Sequence, residues 1–283
     1  MPSAPSTTAE RTTDALPQPL YDLWDPTLRP PIRALWHWHS ALAAAQPVAS
    51  NGTAASLDAF YAEERERAAE GAPMRLLREA VWEDAYAACD SFDLDRELLA
   101  RQVEAAQRLH GTTRFAEASA LKAFVQRWAV SHGRLLAGLA GANNTFQVGY
   151  VEELSRGFFH VRRLLTLPDD VAQGRLFLAM EDLDQAGVTV DQLRKGTVDE
   201  GMQRLLWKQA VRVRDALAQG QPLMNELPLR LRLALKFWWL AALEMVNEVE
   251  RRDFDLWSEP VTLSAFRRAQ VYLQTAFGRA RAS

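Results

Sequence analysis

The chain has 283 residues, of which 48% are hydrophobic and 24% are charged, so it is long enough to bury a full core. Its formal net charge of −3, with basic residues scattered among acidic ones, argues against nucleic-acid binding. The single cysteine, Cys89, excludes an internal disulfide framework and a cysteine-based zinc site, and it fits a reducing, cytoplasmic location.

The N-terminal residues 1–19 are rich in Pro, Ser, Thr and Ala, and they contain neither a basic start nor an apolar run of signal-peptide length. We predict a disordered tail over 1–19. Because no Pro- or Gly-rich linker divides the rest, we predict one helical domain over 20–283.

Apolar residues recur at helical spacing along nearly the whole chain, and no stretch alternates convincingly with a period of two. The pattern predicts an all-α protein, a single large bundle with a central cavity between long helices. Thr189 with Gln192, and Thr197 with Glu200, predict helix starts capped by a hydroxyl. The predicted helices are 31–46, 56–69, 74–88, 94–109, 114–140, 146–166, 198–219, 224–252 and 261–281.

The most apolar segment, 229–246, contains Arg232, Lys236 and Glu244. Each charge would cost about 3 kcal/mol at the centre of a bilayer, so the segment predicts a buried bundle helix. The final predicted helix mixes basic with apolar side chains. This mixture is typical of peripheral membrane contact, and equally of a bundle-packed helix with a basic outer face. The residues concerned are Arg267, Arg268, Arg279, Arg281, Phe266, Tyr272 and Phe277.

The most specific stretch is LLTLPDDVAQGRLFLAMEDLDQAGV, residues 164–188. It resembles the squalene/phytoene synthase family, in which a helix ends in Arg-Asp-x-x-x-Asp. A Gly-Arg-x-Tyr-Leu-Pro turn and an acidic-Asp-Leu segment ending in Gly-Val follow. The similarity continues through 227–257 into the final helix and covers most of the chain from about Tyr21.

The resemblance implies an isoprenoid synthase fold of the class I terpenoid type, in which two allylic prenyl diphosphates condense head to head. That chemistry uses two acid-rich motifs on facing helices to hold Mg²⁺ against the diphosphate. It also implies an apolar, aromatic-lined cavity for the prenyl chains.

This chain departs from both motifs. In the second, Asp170 remains with Asp169 beside it, but Thr166 replaces the leading aspartate. Asp169 and Asp170 are therefore weak candidate metal ligands. In the first, the family's arginine and its aspartates are replaced by Ser40, Ala43, Ala44 and Pro47.

Basic residues near the second motif are candidates for diphosphate binding. The resemblance implies this role for Arg175, since the family arginine lies near the diphosphate end; a salt bridge to Asp169, Asp170 or Glu181 explains it equally well. Three further candidates lie on one face of the preceding helix, at a spacing of three or four residues: Arg156, His160 and Arg163. They either bind the diphosphate or form a basic face exposed to solvent.

His37 and His39 stand two positions apart in the stretch LWHWHS. On a helix they point about 200° apart, so they do not ligate one ion. We predict that the histidine and tryptophan side chains here fill a helix interface.

These observations favour a catalytically impaired member of the family that binds an isoprenoid or a protein partner such as an active synthase. The alternative is an active prenyltransferase with an altered diphosphate site, which would need Mg²⁺. No Gly-x-Ser-x-Gly motif or glycine-rich loop after a strand supports a hydrolase or a nucleotide-binding protein.

Overall fold

The computed structural model describes residues 24–45, 54–109 and 112–277. The predicted tail over 1–19 lies outside these ranges. The elements are α1 (Arg29–Ala44), α2 (Ala54–Glu70), α3 (Glu79–Ser91), α4 (Glu97–Ala106), a 3₁₀ turn (Gln107–Leu109), β1 (Thr113–Phe115), α5 (Ala118–Val125), a π-helical turn (Gln126–Val130), α6 (Ser131–Leu139), α7 (Thr145–Leu165), α8 (Leu167–Ala172), β2 (Arg175–Ala179), α9 (Met180–Ala186), α10 (Val190–Lys195), α11 (Glu200–Gly220), α12 (Leu223–Glu226), α13 (Leu229–Arg251) and α14 (Ala265–Phe277).

The prediction of an all-α protein is confirmed. Two short parallel strands, β1 and β2, were not predicted, because three and five residues are too few to show a period of two. The helix predicted over 114–140 begins only at Ala118. The residue before it, Glu117, is extended, and the Ala118 amide donates to Glu181 Oε1 at 3.0 Å.

The helix predicted over 224–252 is two helices, α12 and α13, divided at Pro228. The residue before this proline, Leu227, is extended, as the proline ring requires. Thr189 and Gln192 form the predicted capping box. The cap predicted at Thr197 is wrong: Asp199 caps α11 instead, where its side chain accepts from the Met202 amide at 2.9 Å.

Helices α7 and α11 cross closely because glycines face the partner helix at two points. A Cβ on Gly220 would lie 2.8 Å from both the Leu154 amide nitrogen and the Tyr150 carbonyl oxygen. A Cβ on Gly157 would lie 2.7 Å from a methyl carbon of Leu217. Since backbone atoms cannot move aside as a side chain does, Gly220 fixes the separation of the two helices.

The apolar segment 229–246 lies within α13, much of whose length is buried, as predicted. No described helix is both long enough and apolar enough to cross a membrane. Helix α14 packs on α13, where buried Lys236 donates to the Thr275 carbonyl at 2.9 Å. Its exposed side carries Phe266 and Leu273 as well as Arg268, so peripheral membrane contact and a basic outer face both stay predictions. Arg279 and Arg281 lie outside the described residues.

Candidate functional site

The second motif lies where α7 ends and the chain turns back into β2. Thr166 is the junction residue between α7 and α8, and Pro168 occupies the first turn of α8, where its missing N–H costs nothing. The chain then reverses at Gly174, whose φ of +76° favours glycine. This turn returns Arg175 to the side of Asp170.

Asp170 is the centre of this arrangement and is only 2% exposed. Its carboxylate accepts from Arg163 Nη1 at 3.1 and 3.2 Å and from Arg175 Nη2 at 3.1 Å. The Thr166 hydroxyl donates to Oδ2 at 2.8 Å. Two guanidinium groups and a hydroxyl therefore surround the one acid that the second motif retains at its expected place.

Arg163 lies between this carboxylate and two aromatic rings. Its guanidinium carbon is 3.9 Å from the ring centre of Phe177 and 5.5 Å from that of Phe159. Burial lowers the pKa of the Arg163 guanidinium, while the charge of Asp170 opposes that change. Arg163 is thus a packed cation with its counter-ion already in place.

The other two candidates for diphosphate binding lie one to two turns earlier on α7. Arg156 donates to Glu152 Oε2 at 3.0 Å and to Gln126 Oε1 at 2.7 Å, and it also pairs with Glu153. Burial, with Arg212 and Arg156 nearby, lowers the pKa of His160 to about 4, so His160 is neutral near pH 7. Arg163 and Arg175 converge on Asp170, whereas Arg156 pairs with other acids, and the role of the four candidates in diphosphate binding stays a prediction.

The first motif offers no carboxylate. Ser40, Ala43 and Ala44 lie exposed toward the end of α1, and Pro47 falls outside the described residues. Across the described part of the chain, no three His, Cys, Asp or Glu side chains lie close enough to hold a metal. Asp169 is partly exposed and forms no ion pair with any described residue. The donor set therefore does not fit a Mg²⁺ cluster, which needs several carboxylates with free oxygens.

A second cluster, the imidazole pair of His39 and His132, was not predicted. Their rings stack with centres 4.2 Å apart and planes inclined by 19°. His39 Nδ1 lies 2.8 Å from Gln102 Oε1, and Trp128 packs against the His39 ring at 4.1 Å. Burial lowers the pKa of His39 to about 4 and that of His132 well below its ordinary value.

Local structure brings these residues together. Trp128 lies in the π-helical turn Gln126–Val130, and His132 follows one turn later on α6. His39 faces the interior of the bundle from α1 while His37 is exposed, because residues two apart on a helix point in different directions. The prediction that the histidines fill a helix interface is therefore wrong for His37. The i, i+4 spacing of Trp128 and His132 was the available sequence signal, but nothing in the sequence linked it to His39.

The sequence matches the family model of squalene/phytoene synthase over residues 21–271. The chain belongs to the squalene/phytoene synthase family. No curated protein matches the sequence.

Solved structures of squalene and dehydrosqualene synthases share the fold. The squalene synthase HpnC from Alicyclobacillus acidocaldarius superposes with a TM-score of 0.70 at 21% identity, covering 82% of this chain and 87% of that one. A dehydrosqualene synthase in complex with a ligand gives 0.73 at 15% identity, with coverage of 90% and 88%. YisP from Bacillus subtilis subsp. subtilis strain 168 gives 0.60 at 15% identity, with coverage of 88% and 98%. At identities of 15–21%, the likeness to these structures shows the fold of this chain.

Proposed function

We propose that this squalene/phytoene synthase-like protein is catalytically impaired and acts in isoprenoid metabolism by binding an isoprenoid or a protein partner. The observation that carries the proposal is the environment of Asp170. Its two oxygens are taken by Arg163, Arg175 and Thr166, while alanines stand at the first motif.

A head-to-head condensation requires the protein to stabilise the leaving diphosphate. Loss of diphosphate from an allylic carbon is assisted by divalent cations that neutralise the leaving group. Such cations need free carboxylate oxygens, and displacing Arg163 from Asp170 would leave a buried guanidinium without its counter-ion. This arrangement supports a protein that has exchanged metal binding for internal charge pairing.

The interior of the bundle supports an apolar ligand. Trp36 lies against Trp238 with ring centres 6.3 Å apart, and Phe158 meets the same Trp238 at 6.2 Å. These rings join α1, α7 and α13 across the bundle. An isoprenoid chain has no polar groups to satisfy there, so aromatic walls suit it.

An active prenyltransferase with an altered diphosphate site is the second candidate. One observation favours it: Arg162 is exposed, forms no ion pair with any described residue, and is close enough to His39 to help lower its pKa. An exposed guanidinium near His39 of α1 suits a phosphate oxygen.

An assay of diphosphate release separates the two. The purified protein is incubated with farnesyl or geranylgeranyl diphosphate, with and without Mg²⁺, and binding heat is measured in parallel. If the protein is catalytically impaired, we expect no more diphosphate release than in buffer alone. A protein that binds an isoprenoid should then show binding heat, and one that acts only through a protein partner should show no binding heat. Release that requires Mg²⁺ and is lost in Arg162→Gln would favour the active enzyme.

A further inference from the structure

The imidazole of His132 has no hydrogen-bond partner at either nitrogen among the described residues, although the residue is only 8% exposed. Buried polar atoms are nearly always paired, because an unpaired one costs about 1–3 kcal/mol. An unpaired buried imidazole in an aromatic setting therefore indicates a partner that the described residues do not supply.

The surroundings of His132 are those of a built site. His132 stacks on His39, and Trp36 meets its ring edge-on at 5.6 Å. The π-helical turn Gln126–Val130, a distortion that is frequent at functional sites, directly precedes α6, which carries His132. Trp128 within that turn packs against the His39 ring with centres 4.1 Å apart.

The hydrogen bonds of Gln102 define the chemistry that His39 offers. Gln102 Nε2 donates to the Leu98 carbonyl at 3.2 Å, so its Oε1 is the atom that accepts from His39 Nδ1. In this neutral tautomer Nε2 of His39 carries a lone pair. Neutral His132 adds one N–H donor and one acceptor. The pair thus presents one N–H donor, on His132, and two acceptors, Nε2 of His39 and the second nitrogen of His132, without a charge.

We propose that the His39–His132 pair, with Trp36 and Trp128 as walls, binds the hydroxyl end of an uncharged isoprenoid alcohol. A hydroxyl can accept from the His132 N–H and donate to Nε2 of His39, so it gives His132 one of the two partners that it lacks. A diphosphate suits the pair less well, since neutral imidazoles supply no counter-charge and Arg163 is committed to Asp170, which leaves Arg162 as the neighbouring cation. The inference rests on the proposed function, of which it specifies the ligand.

Binding of three probes tests the proposal: farnesol, farnesyl diphosphate and the hydrocarbon squalene, followed by calorimetry and by quenching of tryptophan fluorescence. We expect farnesol to bind about tenfold more tightly than either other probe, from one well-formed hydrogen bond in an apolar site. His132→Phe keeps the ring and removes both nitrogens, so it should lose that tenfold preference. His37→Phe, an exposed histidine on the same helix as His39, is the matched control and should bind as the wild type does.

The outcomes separate this inference from the proposed function. Equal affinity for farnesol and squalene, unchanged in His132→Phe, would mean that His132 holds only a water molecule and would overturn the inference. His132→Gln, which keeps polar atoms at the position, should recover part of the preference; equal loss in both variants would also overturn it. Diphosphate release from farnesyl diphosphate would instead contradict the proposed function.

A separate observation concerns the outer face of α14. Phe266, Tyr272 and Leu273 are 75%, 54% and 61% exposed. Ala269 follows Phe266 by three residues and precedes Leu273 by four, so these three side chains lie on one face of the helix, with Tyr272 beside them. The segment 260–283 contains four arginines and no acidic residue, in a chain of net charge −3.

We infer that this stripe, defined as Phe266, Ala269, Tyr272 and Leu273, rests on an anionic membrane surface. Interfacial helices combine an apolar stripe with basic residues, and the basic sequence 260–283 complements anionic headgroups, with Arg268 exposed and Arg267 paired with Glu244 at 3.5 Å. Helix α14 packs on α13, where Tyr272 meets Phe237 with ring centres 4.7 Å apart, and Phe266 and Leu273 stay exposed to contact lipid.

Co-sedimentation with vesicles of phosphatidylcholine, with and without phosphatidylglycerol, tests this surface. We expect binding only to the anionic vesicles, and loss of most of it in the double variant Phe266→Ser, Leu273→Ser. Trp207→Ser, which removes an exposed aromatic from α11, is the control and should sediment as the wild type does. Unchanged binding in the double variant would overturn the inference. So would a dimer in light scattering that the same variant dissociates, because a second copy would then cover the stripe.

Discussion

Arg163 Nη1 lies 3.1 Å from Asp170 Oδ2, and the same guanidinium stacks 3.9 Å above the centre of the Phe177 ring. Asp170, the carboxylate that the family motif would use to bind metal, is therefore the counter-ion of the Arg163 guanidinium. Arg175 completes the pairing from the start of β2. The motif has become part of the structural core at the junction of α7, α8 and β2.

Asp170→Asn tests this structural role. The substitution removes the charge and leaves Arg163 buried beside Phe177 without its counter-ion. Breaking a buried pair from one side costs about 3 kcal/mol, and we expect a loss of that order in the free energy of unfolding, measured by urea denaturation.

Asp191→Asn is the matched control, because Asp191 pairs with Arg194 on the surface. Exposed pairs contribute about 0.5 kcal/mol or less. If Asp170→Asn lowered the free energy of unfolding as little as Asp191→Asn, the Asp170 carboxylate would not be needed to neutralise Arg163. A role of Asp170 in metal binding would then regain support.

The buried histidines make stability depend on pH. Burial lowers the folded-state pKa of His39 and of His160 to about 4, whereas an unfolded histidine titrates near 6.5. Between these values the unfolded chain binds more protons than the folded one. Stability from this source is therefore complete above pH 6.5 and falls as the pH drops toward 4, on the order of 2 kcal/mol per histidine at pH 5.

Urea midpoints at pH 7 and pH 5 measure this dependence. His160→Gln removes one histidine with a lowered pKa. The difference in the free energy of unfolding between pH 7 and pH 5 should therefore shrink by roughly 1–2 kcal/mol. His37→Gln, at an exposed position, should leave the difference unchanged. A wild-type protein equally stable at both pH values would show that the histidines are not buried in neutral form.

The fold was predictable to a large extent because long helices impose a long repeat of apolar residues. The helix predicted over 146–166 corresponds to α7, and that over 198–219 to α11. The segment between them was less predictable. Helices α8, α9 and α10 span six or seven residues each, too short for a periodic signal, and tertiary contacts rather than local pattern hold them.

The site was predictable only in part. The motif spacing indicated that Asp170 and Arg175 belong to one turn, and the structure places them 3.1 Å apart. The stacking of His39 on His132 was out of reach, because the two residues are far apart in sequence and meet only through helix packing. A lone histidine on an amphipathic helix carries no sign of such a partner.

Gly220→Ala tests the close crossing of α7 and α11. The added methyl would meet Leu154 and Tyr150 backbone atoms at 2.8 Å, so we expect a loss of about 1–3 kcal/mol in the free energy of unfolding. Gly149→Ala on α7, where a Cβ meets nothing within 4 Å, should instead gain up to about 1 kcal/mol from helix propensity. Equal effects of the two substitutions in thermal unfolding would contradict the close packing.

The most direct measurement is a titration of Mn²⁺, a spectroscopic substitute for Mg²⁺, followed by electron paramagnetic resonance in the presence of geranylgeranyl diphosphate. Because Asp170 is paired with Arg163 and Arg175, we expect the protein to remove no Mn²⁺ from solution beyond what the diphosphate alone binds. Stoichiometric loss of the free Mn²⁺ signal on adding protein, restored by Asp170→Asn, would contradict the exchange of metal binding for charge pairing.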